Sequence, residues 1–272
     1  MVENSYAVLI PCKNGEETIE QTLQSILSQT IPPSKIVVVD DASTDRTREI
    51  LQKYPEVLKI HLSHNLPRDF ARVPKLINLM LRSITKPYIY MMISGDDSVY
   101  PRNYVEVLLN EFERDSRLLV CSGSHTKQKI VEEASPHGSG RIIRYSFLRK
   151  VQPFPETIGW ESWILFKALQ AGGKVKRVSD LPFEHLKAYS SYSVWTFGQS
   201  MYELGYPLWF VLVRVAKNFL FEPHKLQQLH MLGGFLEYGL KRRPKLDVGD
   251  FVGRYQKQRI MNLLVNIVLG KK

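Results

Sequence analysis

Tyr88-Ile-Tyr-Met-Met-Ile-Ser-Gly-Asp-Asp97 is an apolar run that ends abruptly in two carboxylates. A charge-free run of this kind suits a strand buried on both faces, and two adjacent acids directly after it are costly unless a cation compensates them. Mg²⁺ and Mn²⁺ prefer oxygen ligands and usually share them with phosphates, which makes Asp96 and Asp97 candidate metal ligands. A solvated turn that leads into the next helix is the alternative for the same pair.

The same pattern recurs on both sides of this segment. Tyr6-Ala-Val-Leu-Ile10 is a short apolar run ending at Pro11, and the stretch Glu16–Gln29 places Ile19, Leu23, Ile26 and Leu27 on one helical face until Pro32-Pro33 stops it. Lys35-Ile-Val-Val-Val39 reads as a β-branched strand ending at Asp40-Asp41, and Ser43, Thr44 and Asp45 are good caps for a helix through Lys53. A weaker strand is expected over Val57–Leu62, a loop at Asn65-Leu-Pro67 and a helix over Lys75–Ile84. Pro101 suits the start of a helix reaching Asp115, before a strand at Leu118–Cys121.

Strands alternating with helices predict an α/β fold, a mostly parallel sheet with helices on both faces. Ligands in such sheets bind at the carboxyl ends of the strands. Cys12-Lys13-Asn14, Asp40-Asp41 and Asp96-Asp97 each follow a separate strand, so all three are expected to face one crevice. Further along, Thr126–Gly140 reads as a polar loop, and Trp160–Leu169 as a helix ended by Gly172-Gly173. From Ser193 the texture turns to aromatic and apolar runs broken by basic residues. The expected organisation is therefore an α/β domain over residues 1–195 and a helical, basic, aromatic-rich region over 196–272.

Composition narrows the classes further. The 44% hydrophobic and 24% charged fractions exclude wholesale disorder, and Cys12 and Cys121 are too few for a disulfide scaffold or a cysteine-rich zinc module. With no secretory signal after Met1, a cytoplasmic protein is expected. The net charge of +10 is uneven: residues 196–272 hold 12 Lys/Arg against 5 Asp/Glu, residues 1–195 hold 25 against 22.

Together, Val8-Leu-Ile-Pro-Cys-Lys-Asn-Gly15, Val37-Val-Val-Asp-Asp-Ala-Ser-Thr-Asp45, Lys75-Leu-Ile-Asn78 and Tyr88 to Asp97 with Pro101 resemble the family 2 glycosyltransferases. The resemblance runs over residues 5–187 and implies the Rossmann-like GT-A fold, nucleotide-sugar binding and an inverting, metal-dependent transfer to a hydroxyl acceptor. It implies that Pro11, Lys13, Asn14 and Asp40 hold the nucleotide base and ribose, and that Lys75 lies near the diphosphate. Asp96 takes the metal-ligand place for Mn²⁺ or Mg²⁺, with Asp97 as a supporting residue or second ligand. Ser94 stands where the family often carries an acid that contacts ribose. His185 falls where some relatives complete the metal site with a histidine. His61 and His64 have weaker claims.

An inverting transferase needs a carboxylate base near the acceptor hydroxyl, because removing that proton lets the oxygen attack the anomeric carbon. The resemblance puts that base at the start of the helix containing Gly159-Trp160-Glu161-Ser162-Trp163. Counting back from Gly172 puts Glu161 at the base position, and an alternative register puts Ser162 there; Glu161 is the expected base.

The donor implied is a UDP- or GDP-sugar, and the acceptor a glycan or a lipid-linked sugar. Tyr206-Pro-Leu-Trp-Phe-Val-Leu-Val213 is too short to span a bilayer, whose crossing takes ~20 apolar residues. Beside Lys241-Arg-Arg-Pro-Lys245 it suits peripheral contact with the cytoplasmic face of a membrane, with packing on a second subunit or on the chain itself as alternatives. A nucleotidyltransferase would share the acidic core but would need a glycine-rich loop that Ile10–Gly15 lacks. The charge alone raises a nucleic-acid-binding protein, yet no recognised motif supports one, so no nucleic-acid partner is expected.

Overall fold

The computed structural model describes residues 5–64, 71–125, 136–187, 194–221 and 225–268. The chain forms two compact units, residues 1–156 with 171–189, and residues 157–170 with 190–272. The loop expected at Asn65–Pro67, and residues 126–135 of the polar loop, lie outside the described residues.

The first unit is an α/β sandwich around one mixed sheet. Its elements run β1 (Tyr6–Cys12), α1 (Ile19–Leu27), β2 (Lys35–Asp40), α2 (Thr47–Gln52), β3 (Val57–His61), α3 (Arg72–Arg82), β4 (Tyr90–Ile93), β5 (Ser98–Val99), α4 (Tyr104–Arg114), β6 (Leu118–His125), β7 (Arg141–Arg144) and α5 (Tyr145–Val151), with β8 (Lys174–His185) completing it. The strand order is β3-β2-β1-β4-β7-β6-β8-β5. The left half, β3-β2-β1-β4, is wholly parallel. Strand β7 then enters antiparallel between β4 and β6, while β6 and β8 run parallel and β5 closes antiparallel on the end of β8.

The apolar runs form strands because they are covered on both faces. Val8 and Ile10 of β1, Val38 of β2 and Met92 of β4 pack with Ile19, Leu23 and Ile26 of α1 and with Leu108 and Phe112 of α4. Helix α1 thus buries the stripe that its spacing predicts. Strand β7 escaped the sequence reading because two arginines bracket Ile142-Ile143. Both are turned into the protein: Arg141 is 1% exposed and donates to the carbonyls of His137 and Pro136, while Arg144 donates to those of Leu118 and Phe112.

Polar cross-links fix the helices that frame the strand ends. Gln29 donates to the carbonyls of Ser25 and Pro101, and its Oε1 accepts the Val105 amide at 3.0 Å, tying α1 to α4. On the other face, Asn78 of α3 donates to the Phe154 carbonyl at 2.9 Å and accepts its amide at 2.8 Å. Tyr104 of α4 accepts the Gly123 amide and donates to the Gly140 carbonyl, bridging two stretches of the antiparallel region.

The second unit is helical. It combines α6 (Trp160–Gln170) with α7 (Val194–Glu203), α8 (Leu208–Phe221), α9 (Leu229–Leu240) and α10 (Gly249–Val268). Met201, Val211, Val215, Met231 and Phe235 form its core. Trp163 and Lys167 of α6 both reach the Asp247 carboxylate, at 2.7 and 2.9 Å. No helix among the described residues is long and apolar enough to cross a membrane. Helices α7 and α9 cross with their backbones touching: a Cβ on Gly198 would overlap the Met231 carbonyl, and one on Gly234 the Trp195 carbonyl.

Gly198→Ala should therefore destabilise the helical unit by about 1–3 kcal/mol, a typical cost of overpacking a site that cannot relax. Thermal unfolding followed by circular dichroism checks this against Gly172→Ala. The latter glycine has φ +75° with open space around it, so its cost is backbone strain alone.

Candidate functional site

Three parallel strands, β1, β2 and β4, deliver their carboxyl ends side by side, and the loops after them form one polar cluster. The first two loops are interlocked. Asn14, at φ 48°, donates its amide to Ser43 Oγ at 2.9 Å, Gly15 donates to Thr47 Oγ1 at 2.8 Å and Glu16 to Asp45 Oδ2 at 3.1 Å. Thr44 returns its amide to Asn14 Oδ1 at 3.0 Å. The Asp-Asp-Ala-Ser-Thr-Asp segment thus does more than start a helix. Its side chains satisfy the backbone amides of the neighbouring loop.

Asp40 is fully buried at the end of β2. Its Oδ2 lies 3.0 Å from both Arg48 Nε and His61 Nδ1, and its Oδ1 accepts the Ser43 amide at 2.9 Å. Burial alone would raise its pKa, but hydrogen bonds from Ser43, His61 and Arg48 outweigh that and hold it below the ordinary carboxylate range. His61, given little weight from sequence, arrives because β3 runs parallel to β2 with His61 in register with Asp40. Asp41, equally buried, pairs with Arg72 at the start of α3.

Asp96 and Asp97 follow β4 as expected. Thr22 of α1 donates to the Asp96 carbonyl at 3.0 Å, which fixes the turn from the α1 side. The Asp96 carboxylate lies beside the first loop, 3.5 Å from the Lys13 amide, and a Cβ on Gly15 would come within 3.1 Å of it. Its closest charged neighbour is Lys187, whose Nζ stands 3.1 Å from Oδ2. Burial raises the Asp96 pKa, the charge of Asp97 adds to this, and Lys187 opposes it. Asp97 differs: its Oδ1 is 3.2 Å from His185 Nδ1, and although burial raises its pKa, the His185 hydrogen bond and charge bring it below the usual value.

The remaining sequence candidates are placed as follows. Ser94 is buried, donating to the Gly95 carbonyl and lying 2.8 Å from the Tyr100 hydroxyl. Pro11 is in β1 opposite Val39, and Lys75 is half-buried near the start of α3, a helix that packs on β1 and β2. Glu161 sits in the first turn of α6, in the helical unit, whereas all the acids above belong to the α/β unit. Sequence reasoning missed Arg48, Arg72 and Lys187, whose partners are distant in the chain or were assigned other tasks. It also missed His125 and His137, whose rings lie 4.8 and 5.4 Å from that of His185. Burial first, then neighbouring positive groups, lower the His137 pKa to about 3, keeping it neutral.

The donor chemistry fits a divalent cation shared with phosphate. Such an ion takes one or two protein carboxylates and fills its shell from water and phosphate oxygens. Asp96 and Asp97 are adjacent, hard donors, and the half-buried Asp96 is already paired with an ammonium. Among the described residues no three His, Cys, Asp or Glu side chains form a group that could hold a metal ion by themselves, so most of the shell of an ion at Asp96 and Asp97 would come from water and phosphate.

The model of glycosyl transferase family 2 matches residues 7–171. TuaG of Bacillus subtilis (strain 168) is 34% identical over 91 residues, covering 33% of this chain and 35% of that protein. The poly(ribitol-phosphate) beta-N-acetylglucosaminyltransferase TarS of Staphylococcus aureus (strain Mu50 / ATCC 700699) is 26% identical over 138 residues, 48% of this chain and 24% of TarS. The matched region thus spans about a third or less of these relatives' length. Among solved structures, the mannosyltransferase PcManGT from Pyrobaculum calidifontis, in complex with GDP-Man and Mn²⁺, superposes with a TM-score of 0.60 at 16% identity, covering 96% of this chain and 80% of that one. S. aureus TarS 1-349 in complex with UDP-GlcNAc gives 0.56 at 18% identity, covering 85% and 71%. At these identities the likeness concerns the fold.

Asp40→Asn should destabilise the protein by about 1–3 kcal/mol near neutral pH, the scale for breaking a buried charged hydrogen-bond set. Because the folded-state pKa of Asp40 is depressed, its contribution is full above the unfolded carboxylate range and disappears as pH falls through the lower native value. Urea denaturation of both proteins between neutral and acidic pH should show the gap closing on acidification.

Proposed function

This chain belongs to glycosyl transferase family 2, and from that premise we propose that it is an inverting, metal-dependent glycosyltransferase. It takes a UDP- or GDP-sugar as donor and a glycan or lipid-linked hydroxyl as acceptor. The observation that carries the reading is the acidic pair at the end of β4, set against the β1 loop and backed by the buried Asp40 of β2. PcManGT with GDP-Man and Mn²⁺, and TarS with UDP-GlcNAc, have the same fold.

In this reading Pro11, Lys13, Asn14 and Asp40 frame the base and ribose, and Lys75 favours the anionic diphosphate. Ser94, its hydroxyl turned to Tyr100, supports the loop, and Asp97 is steadied by His185. Asp96 and Asp97, with His185, would hold Mn²⁺ or Mg²⁺, which supplies positive charge to the departing diphosphate. Glu161 serves as the base that takes the acceptor proton. The bond from the acceptor oxygen to the anomeric carbon forms as the bond to the diphosphate breaks.

A panel of nucleoside-diphosphate sugars with Mn²⁺ or Mg²⁺, read by saturation-transfer NMR and by transfer, tests this. Asp96→Ala should abolish metal-dependent donor binding, whereas Glu161→Gln should keep donor binding and lose about 10²–10⁴-fold in transfer, the usual contribution of general-base catalysis. Unchanged metal-dependent binding in the first variant, or near-normal turnover in the second, would overturn the corresponding role.

The acceptor side extends to peripheral contact with an anionic membrane. Among the described residues, every large apolar side chain that is strongly exposed belongs to the helical unit, Val73 excepted. On α8 they are Leu208, Trp209, Leu212, Val213, Phe219 and Leu220, with exposed Lys217 among them, and Lys241–Lys245 add an exposed cationic cluster. Apolar insertion and cationic attraction together suit an interfacial seat. Binding to anionic liposomes should weaken but persist at high salt. Serine at Lys241, Arg242, Arg243 and Lys245 should remove the salt-sensitive part. A wild type that ignores anionic liposomes and dimerises through this region would instead favour subunit packing.

A further inference from the structure

The ammonium of Lys187 occupies the position where a cation would be wanted. Its Nζ lies 3.1 Å from Asp96 Oδ2 and 3.5 Å from the Asn14 carbonyl oxygen. A carboxylate and a carbonyl are hard oxygen donors of the class a divalent ion takes. Lys187 stands two residues beyond His185, the last residue of β8, and the two side chains divide the acidic pair: imidazole on Asp97, ammonium on Asp96. The mobility of the partners is unequal. The Lys187 side chain is 38% exposed on a flexible stem, whereas that of Asp96 is 16% exposed, in a turn whose carbonyl Thr22 holds.

We propose that Lys187 is the resident counter-cation of Asp96 and that a divalent ion must displace it to bind. The proposal rests on the reading of Asp96 as a metal-binding carboxylate. An ammonium and a divalent ion cannot share the same carboxylate oxygen at contact distance without strong repulsion. Lys187 therefore neutralises the half-buried acid while the site lacks a metal, and it lowers the site's affinity for the metal alone. A donor diphosphate changes that balance, because it offers the released ammonium another anion. Metal and donor binding are thereby coupled through one lysine, and such coupling is reciprocal.

Mn²⁺ titrated into the nucleotide-free full chain, with the free ion read by electron paramagnetic resonance, tests this directly. Lys187→Met should bind Mn²⁺ about tenfold more tightly than the wild type, as expected when a competing charge is removed from a partly exposed site. Lys187→Arg, which keeps the charge, should stay near the wild type, and adding Asp96→Asn to Lys187→Met should cancel the gain. Thermal unfolding confirms that each variant is folded, and Lys187→Gln replaces Lys187→Met if the latter is not. Equal or weaker Mn²⁺ binding in Lys187→Met, with binding still lost in Asp96→Asn, overturns the role of Lys187 and leaves the metal reading standing. Mn²⁺ binding that ignores Asp96→Asn, or is absent from every variant, overturns both.

Discussion

A carboxylate that leaves the end of a buried strand brings its charge into a place where water cannot fully solvate it, and the region around β4 is organised by that constraint. Asp96 is answered by Lys187 and by the loop after β1, and Asp97 by His185. One strand over, Asp40 meets the same demand with Arg48, His61 and the Ser43 amide, and Asp41 with Arg72. Removing one partner from such a set leaves the other uncompensated, which costs more than the pair contributes net. The strand ends are therefore rigid for an electrostatic reason as well as through hydrophobic packing.

Rigidity also comes from the reciprocal bonding of the first two loops. Ser43, Asp45 and Thr47 accept the amides of Asn14, Glu16 and Gly15, and Asn14 accepts that of Thr44. A short polar sequence after β2 thereby shapes the loop after β1, which would otherwise carry unpaired amides near the first turn of α1. The left-handed backbone at Asn14 and Ala42 is part of this exchange. Loops held in this way need little further ordering to bind a ligand.

Strands β1, β2 and β4 were legible because each is an apolar run closed by proline or aspartate, whereas β3, with Lys59 inside it, gave a weaker signal. In the antiparallel half the start of β6 at Leu118–Cys121 was legible, but β7 was not. Arg141 and Arg144 hide β7 by presenting charges that find carbonyl partners only in the folded chain. The candidate acids were visible as residues, since Asp40, Asp96 and Asp97 follow strands. Their counter-ions were not, because Lys187 lies 91 positions from Asp96 and no periodicity links the two. His61 was recoverable in principle: parallel pairing of β2 with β3 puts the last residues of both strands side by side. The shared crevice was inferred from the rule that parallel strands point their carboxyl ends the same way, which requires only topology.

Strand β8 does two jobs along its length. Its first part pairs with β6, and its end pairs with β5, where Ser98 faces His185. The β6–β8 pairing has irregularities near Leu118 and between Ser122 and Ser124, and Gly123 lies at the second, where a Cβ would overlap the Leu181 carbonyl. A side chain there would push β8 away or shift it along its neighbour, and a one-residue slip reverses which face each residue presents. His185 would then give way to Glu184 at the end of the strand, with no residue near the acids altered. Gly123 therefore works as a remote pitch-setter, fixing the phase of a strand whose far end determines the charge that the acidic pair meets.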